Sequence, residues 1–238
     1  MIGVPTSLAL PTPDRPGALT GLAEPLLAAV LVSIPVFLQA PWVRTAPFSA
    51  CLFTAVLLAL GIGLERRPAS HGIGQMLVGF SGSWLAGSVF WGWCRLHPLC
   101  HLPVEAFALP LALAGLGSRW RLAAGFYLAS LLGTAATDAA IAGCGLMPFW
   151  TQVLASPPGM ATDLLQQAAA QVLTPLPLLV VGGATLLLVP TCRWLWRSGP
   201  VGRVCGAALA TTLAVDGLFL ATALLAPGLS GLVGAAPA

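Results

Sequence analysis

Charge almost never interrupts the long apolar stretches of this chain. The runs near 25–43, 46–64, 73–93, 121–142, 174–192 and 202–226 each approach or exceed the roughly 20 residues an α-helix needs to cross the hydrocarbon of a bilayer. Only 7% of the 238 residues are charged and 58% are hydrophobic, whereas about a quarter of a soluble domain is charged. A soluble monomer of this composition would expose apolar patches far larger than such proteins carry. The runs are continuous, which argues against a β-barrel, whose strands alternate apolar and polar positions over about ten residues. The expected fold is therefore all-α, a polytopic transmembrane helix bundle with the lipid bilayer as its main partner.

A further segment, 103–118, is short and begins at a proline, so it either crosses or re-enters on one side. Arginine placement discriminates between these, because short cytoplasmic loops are enriched in Lys and Arg. All ten basic residues are Arg. With seven spans, one side carries Arg15, Arg66, Arg67, Arg119, Arg121, Arg193, Arg197 and Arg203, and the other carries Arg44 and Arg95, a split of 8 to 2. Omitting the fourth segment gives 3 to 7. The seven-span arrangement separates charge better. It places the N-terminus in the cytoplasm and the C-terminus in the lumen or periplasm. The chain then divides into a Pro-rich disordered tail over 1–24, one transmembrane domain over 25–226 and a flexible tail over 227–238. The long connection 143–173 holds aromatic and amphipathic stretches, and short interfacial helices on the outer face are expected there.

Most polar groups near the membrane fall on one side in this arrangement. The stretch "CRLHPLCHLPVEAFALP" (94–110) places Arg95, His97 and His101 in an outer loop and Glu105 in the first turn of the fourth span. Asp138 lies in the outer third of the fifth span, and Asp216 near the middle of the seventh. Ionisable residues within a bilayer are expensive and mark candidate sites. His97, His101 and Glu105 stand at i, i+4, i+8. Their spacing admits a structured polar loop, an axial ligand to pigment or metal, or a proton-handling cluster. Pro98 and Pro103 interrupt any continuous helix and push the preceding residues toward extended backbone. A single hydrogen-bonded cluster of Arg95, His97, His101 and Glu105 is expected at the outer boundary, and together with Asp138 these residues form the outer-face candidate site for a ligand, a partner or a proton. Asp138 and Asp216 read either as packing residues bonded to a neighbouring helix or as a cation or proton site. His71 reads as interfacial on the inner side.

No HExxH, GxSxG or Walker sequence is present, and the six cysteines lack paired metal spacing. No enzyme is expected, and no cofactor follows from the residues. A net charge of +3, scattered and without aromatic interleaving, gives no nucleic-acid footprint.

The blocks "VSIPVFLQAPWVR" (32–44), "GFSGSWLAGSVFWGWCRLHPLCHLPVEAFALP" (79–110) and "FYLASLLGTAATD" (126–138) resemble an integral membrane family of cyanobacteria, catalogued as a domain of unknown function. The resemblance covers about 25–226. It implies a photosynthetic host and a thylakoid or plasma-membrane address, and it brings no catalytic residues. Two functions are then expected in competition. One is a non-enzymatic accessory or assembly protein partnered with other membrane proteins of the photosynthetic apparatus. The other is a transporter of small solutes or ions, or its substrate-binding membrane subunit, using Asp138 and Asp216.

Overall fold

The computed structural model describes residues 20–229; the expected tails lie outside them except for 20–24, which are helical and open α1 rather than belonging to a disordered tail, and 227–229, which form a 3-10 turn. Within the described residues the chain is helical and has no strand. Seven helical rods are joined there by short turns, except for one longer connection. The first rod consists of α1 (Thr20–Ile34), a π-helical turn (Pro35–Gln39) and α2 (Ala40–Thr45). Pro35 brings no N–H to the helical ladder, and the N–H of Ala40 instead bonds the Pro35 carbonyl, which widens the helix locally. The second rod is α3 (Pro47–Glu65) and the third is α4 (His71–Val89), prolonged by a second π-helical turn, Phe90–Cys94.

The fourth rod is the irregular one. It runs through a 3-10 turn (Pro98–Cys100), α5 (His101–Glu105), a second 3-10 turn (Ala106–Ala108) and α6 (Leu109–Gly115). It lies antiparallel to α7 (Arg121–Gly143): His101 faces Asp138 near the end of α7, and Gly115 abuts Ala124 near its start. The rod thus follows α7 along most of its length. Its start at 98 corrects the expected placement of His101 in a loop, since His101 opens α5. His97 itself is non-helical, as the proline after it requires.

The connection expected to carry interfacial helices holds two, α8 (Met147–Ala155) and α9 (Pro158–Val172). The last rods are α10 (Pro175–Arg197) and α11 (Pro200–Leu225). Prolines begin or nearly begin α3, α8, α9, α10 and α11. That position costs nothing, because first-turn amides lack intrahelical partners. Gly199, at φ 105°, lets the chain reverse between α10 and α11 within two residues.

Among the described residues, six helices are long and apolar enough to cross a membrane: Gly21–Thr45, Pro47–Glu65, Pro98–Gly115, Arg121–Gly143, Pro175–Arg197 and Pro200–Leu225. The chain is an integral membrane protein. The rod beginning at His71 is less apolar, and its place explains why. It is sandwiched between α3 and α7, with Met76, Phe80, Trp84, Phe90, Gln75, Ser81 and Ser88 all buried. Most of its surface meets protein. It accompanies α3 from end to end, with Val78 against Gly61, Trp84 Nε1 donating to the Ala50 carbonyl at 2.8 Å, and Gly92 against Pro47. The core joins this helix to Ala28 and Leu31 of α1, Leu57 of α3, Phe126 and Ala129 of α7, and Val204, Ala207 and Ala208 of α11.

Small residues allow this approach, as is usual where helices pack without a hydrophobic drive. A methyl group built on Gly79 would overlap the Ala123 carbonyl of α7, and one on Gly74 would overlap the backbone at Glu65 and Gly61. Both obstacles are main chain and cannot swing away. Gly79→Leu is expected to lower the thermal unfolding midpoint of the detergent-solubilised protein, in line with about 1–3 kcal/mol for overpacking. An unchanged midpoint would show that α4 and α7 do not approach this closely.

Candidate functional site

The bundle has two polar ends separated by the apolar core. At one end lie His101, Glu105 and Asp138, with Asp216 on α11 behind them. His101 opens α5 directly opposite the last turns of α7, and its Nδ1 lies 2.9 and 3.0 Å from the two oxygens of Asp138. Both side chains are largely buried, at 16% and 12% exposure. The imidazole is wedged among aromatic rings. The Phe90 ring centroid is 4.3 Å away and that of Trp150 is 5.8 Å away. Trp150, delivered by α8, stacks on Trp91 and donates its indole N–H to the Arg95 carbonyl at 2.8 Å. This aromatic wall fixes the ring plane, so that Nδ1 points at Asp138.

Asp216 is reached through the neighbouring residue of α7. Thr137 Oγ1 donates to Asp216 Oδ2 at 2.6 Å. Because Thr137 and Asp138 are consecutive, α7 presents one polar group to α11 and the next to α5. Glu105 stands one turn beyond His101 on α5, and its backbone carbonyl accepts from the Tyr127 hydroxyl. The carboxylates of Glu105, Asp138 and Asp216 and the imidazole of His101 therefore share one neighbourhood across α5, α7 and α11.

The expected single cluster of Arg95, His97, His101 and Glu105 does not form among the described residues. His101 turns to Asp138, whereas Glu105 makes no hydrogen bond or ion pair within 4.0 Å through its carboxylate. Arg95 contributes its backbone carbonyl to Trp150, and His97 takes part only through backbone bonds of the turn. The sequence spacing suggests a local cluster only if 94–105 is one loop. The fold instead starts a helix at His101 and brings α7 against it, and long-range pairing wins. Among the described residues, no three His, Cys, Asp or Glu side chains converge as metal ligands do.

Two further polar networks were not singled out from sequence. Gln39, fully buried in the π turn of the first rod, donates through Nε2 to Ser88 Oγ at 2.7 Å and to the Trp84 carbonyl. A glutamine beside a mid-span proline was the available signal. The second network lies at the opposite end, around His71. Its Nδ1 bonds the Glu65 carbonyl at 2.9 Å, so Nδ1 carries the proton and Nε2 accepts from Gln75 Nε2 at 3.0 Å. Gln75 also donates to the Arg119 carbonyl and accepts from the Leu122 amide. Glu65 is buried there, with His71 Nδ1 at 3.8 Å and Arg119 at 4.0 Å.

A family model described as protein of unknown function (DUF3120) matches residues 28–224. The chain belongs to that family. Comparison with curated proteins and with solved structures yields no match.

The His101–Asp138 contact is open to a double-mutant cycle. His101→Ala and Asp138→Ala are expected to show a coupling of about 0.5–3 kcal/mol in unfolding free energy, the range for contacting residues in one network. Strictly additive losses would show that the two side chains do not touch.

Proposed function

We propose that the protein is a non-enzymatic membrane transporter of a small solute or ion, or the membrane subunit of one, in which His101, Asp138 and Asp216 handle a proton or a monovalent cation. The observation that carries this reading is the pairing of His101 with Asp138 beside the Thr137–Asp216 bond. Carboxylates and imidazoles placed inside a bundle, bonded between helices rather than to lipid, are the usual elements of proton relays in transporters. The groups belong to three different rods, so relative movement of the rods would make and break the pairs. Such coupling between ion occupancy and helix arrangement is what alternating access requires.

The arginine-rich end is proposed as the cytoplasmic one. Arg66, Arg67, Arg119, Arg121, Arg193, Arg197 and Arg203 sit at the His71 end, whereas Arg44 and Arg95 sit at the His101 end. The positive-inside rule then turns the His101–Asp138 pair toward the lumen or periplasm. In a variant whose six native cysteines are replaced, a cysteine introduced at Ser118 is expected to react with a membrane-impermeant maleimide only from the cytoplasmic side. Reaction from outside in intact cells would reverse the orientation.

A second reading, an accessory or assembly protein of a cyanobacterial photosynthetic membrane, thylakoid or plasma membrane, is favoured by α10. Of the residues in that helix only Pro177 is buried, and Leu179, Leu186, Leu187 and Trp194 lie exposed. Such a face suits a partner helix as well as lipid. Native purification in which photosystem subunits or pigment accompany the protein at stoichiometric amounts would favour it.

Transport is tested, whatever the solute, by comparing what cells remove from their medium. A deletion strain complemented with the wild-type gene is expected to regain uptake of one solute class. Asp138→Asn and Asp216→Asn, expressed equally, should each restore less than about a tenth of it, because the lost charge is the coupling element. Full restoration by Asp216→Asn, or no solute that distinguishes the deletion strain from the complemented one, contradicts the proposal.

A further inference from the structure

The end of the bundle opposite His101 and Asp138 holds a cavity of about 680 Å³, lined by Glu24, His71, Gln75, Ser118, Arg119 and Arg121 among others. This lies within the range of ligand-binding pockets, about 300–1,000 Å³. It is about 25 Å from Asp138 along α7, counting 1.5 Å per residue from Arg121.

Several lining groups are already committed. His71 spends both ring nitrogens on Glu65 and Gln75, and Gln75 spends its amide on His71, Arg119 and Leu122. These residues form a fixed polar wall. The Glu24 carboxylate lies against Gly72, where even a Cβ would displace it, and so it sits at the N-terminus of α4. There its negative charge is offset by the positive end of that helix. Two cationic lining groups remain accessible from the cavity. Arg121 makes no ion pair among the described residues, and Arg119 reaches Glu65 only at 4.0 Å while its guanidinium rests on the Trp120 ring at 5.1 Å. The N-termini of α7 and α11 open onto the same space through Arg121, Leu122, Pro200 and Val201. On α7 the Arg121 and Leu122 amides are already bonded, and on α11 Pro200 has no N–H, so the free first-turn amides are those of Val201 and Gly202 on α11, at a helix end that carries positive potential.

We infer that this cavity binds a phosphate-bearing anion, held by the Arg119 and Arg121 guanidiniums with the first-turn amides of α11. Arginine forks match phosphate oxygens in parallel pairs, and helix N-termini are suited to the same group. The phosphate belongs either to a free small anion or to the headgroup of an acidic lipid entering from the membrane boundary. The site stands apart from the His101–Asp138 pair and does not depend on a transport function.

Thermal unfolding of the full-length protein in detergent, followed by tryptophan fluorescence, tests it with three probes: inorganic phosphate, dioctanoyl phosphatidylglycerol and dioctanoyl phosphatidylcholine. The midpoint is expected to rise with phosphate or with phosphatidylglycerol, and not with phosphatidylcholine, since a ligand that binds only the folded state stabilises it. A response to phosphate identifies a free anion as sufficient, and a response to phosphatidylglycerol alone identifies the lipid headgroup. Arg119→Gln/Arg121→Gln should weaken the apparent affinity at least about tenfold, the loss of one charge-assisted hydrogen bond or more. It should still fold, because the Arg119 contact that positions Gln75 is main chain. Arg193→Gln/Arg197→Gln, exposed at the same end but outside the cavity, should leave the affinity unchanged. No response to either anionic probe, or equal weakening by the two double variants, overturns the inference.

Discussion

Hydrocarbon offers no partner to a polar group, and the arrangement of this bundle follows from that. Each unsatisfied donor or acceptor inside the bilayer costs several kcal/mol, so polar residues within the spans must find each other across helices. The helix beginning at His71 shows the effect most clearly. It carries Gln75, Ser81, Ser88 and many glycines, and it is the rod most enclosed by protein. Ser88 is bonded by Gln39 from the first rod, Gln75 holds the junction before α7, and Trp84 reaches the backbone of α3. The first rod, α3 and α10, which expose many large apolar side chains, are all strongly apolar.

The same constraint produces two chemically different ends. At the His101 end, acids and an imidazole are paired between α5 and α7 and between α7 and α11, under an aromatic wall that includes Trp150. At the His71 end, a histidine and a glutamine fix the walls of a polar cavity bordered by Arg119 and Arg121. Between them the core of Met76, Phe80, Phe126, Val204 and Ala208 is wholly apolar. A charge moving from one end to the other would need the rods to shift. The glycine contacts at Gly74 and Gly79 make α3, α4 and α7 the tightly packed side of the molecule.

The rods themselves were legible in the sequence, because long apolar runs have one solution in a bilayer. Even the marginal fourth segment could be read as a rod from arginine placement. The boundaries and the partners were less legible. Thr20–Glu24 are helical although the prolines upstream suggested a tail through residue 24. The spacing of His97, His101 and Glu105 suggested one cluster, but spacing carries no information on what a second helix brings. Asp138 lies 37 residues from His101, and only packing decides that they meet. Asp216 does bond a neighbouring helix, one of its two expected readings, and packing alone selects Thr137 of α7 as the hydroxyl that donates to it. His71 and Gln75 carried no distinguishing motif, and their cavity exists only where α1, α4, α7 and α11 end beside the turn that follows α6.

The proposed proton or cation handling requires Asp138 and Asp216 to act as one coupled chain. Infrared difference spectroscopy of the reconstituted protein, recorded across a change of pH, reads carboxyl protonation directly. The expected spectrum contains a carboxyl band that disappears in Asp138→Asn and is displaced in Asp216→Asn, because the two groups sense each other through consecutive positions of α7. Two bands that vanish one by one, each unaffected by the other substitution, would contradict the coupling.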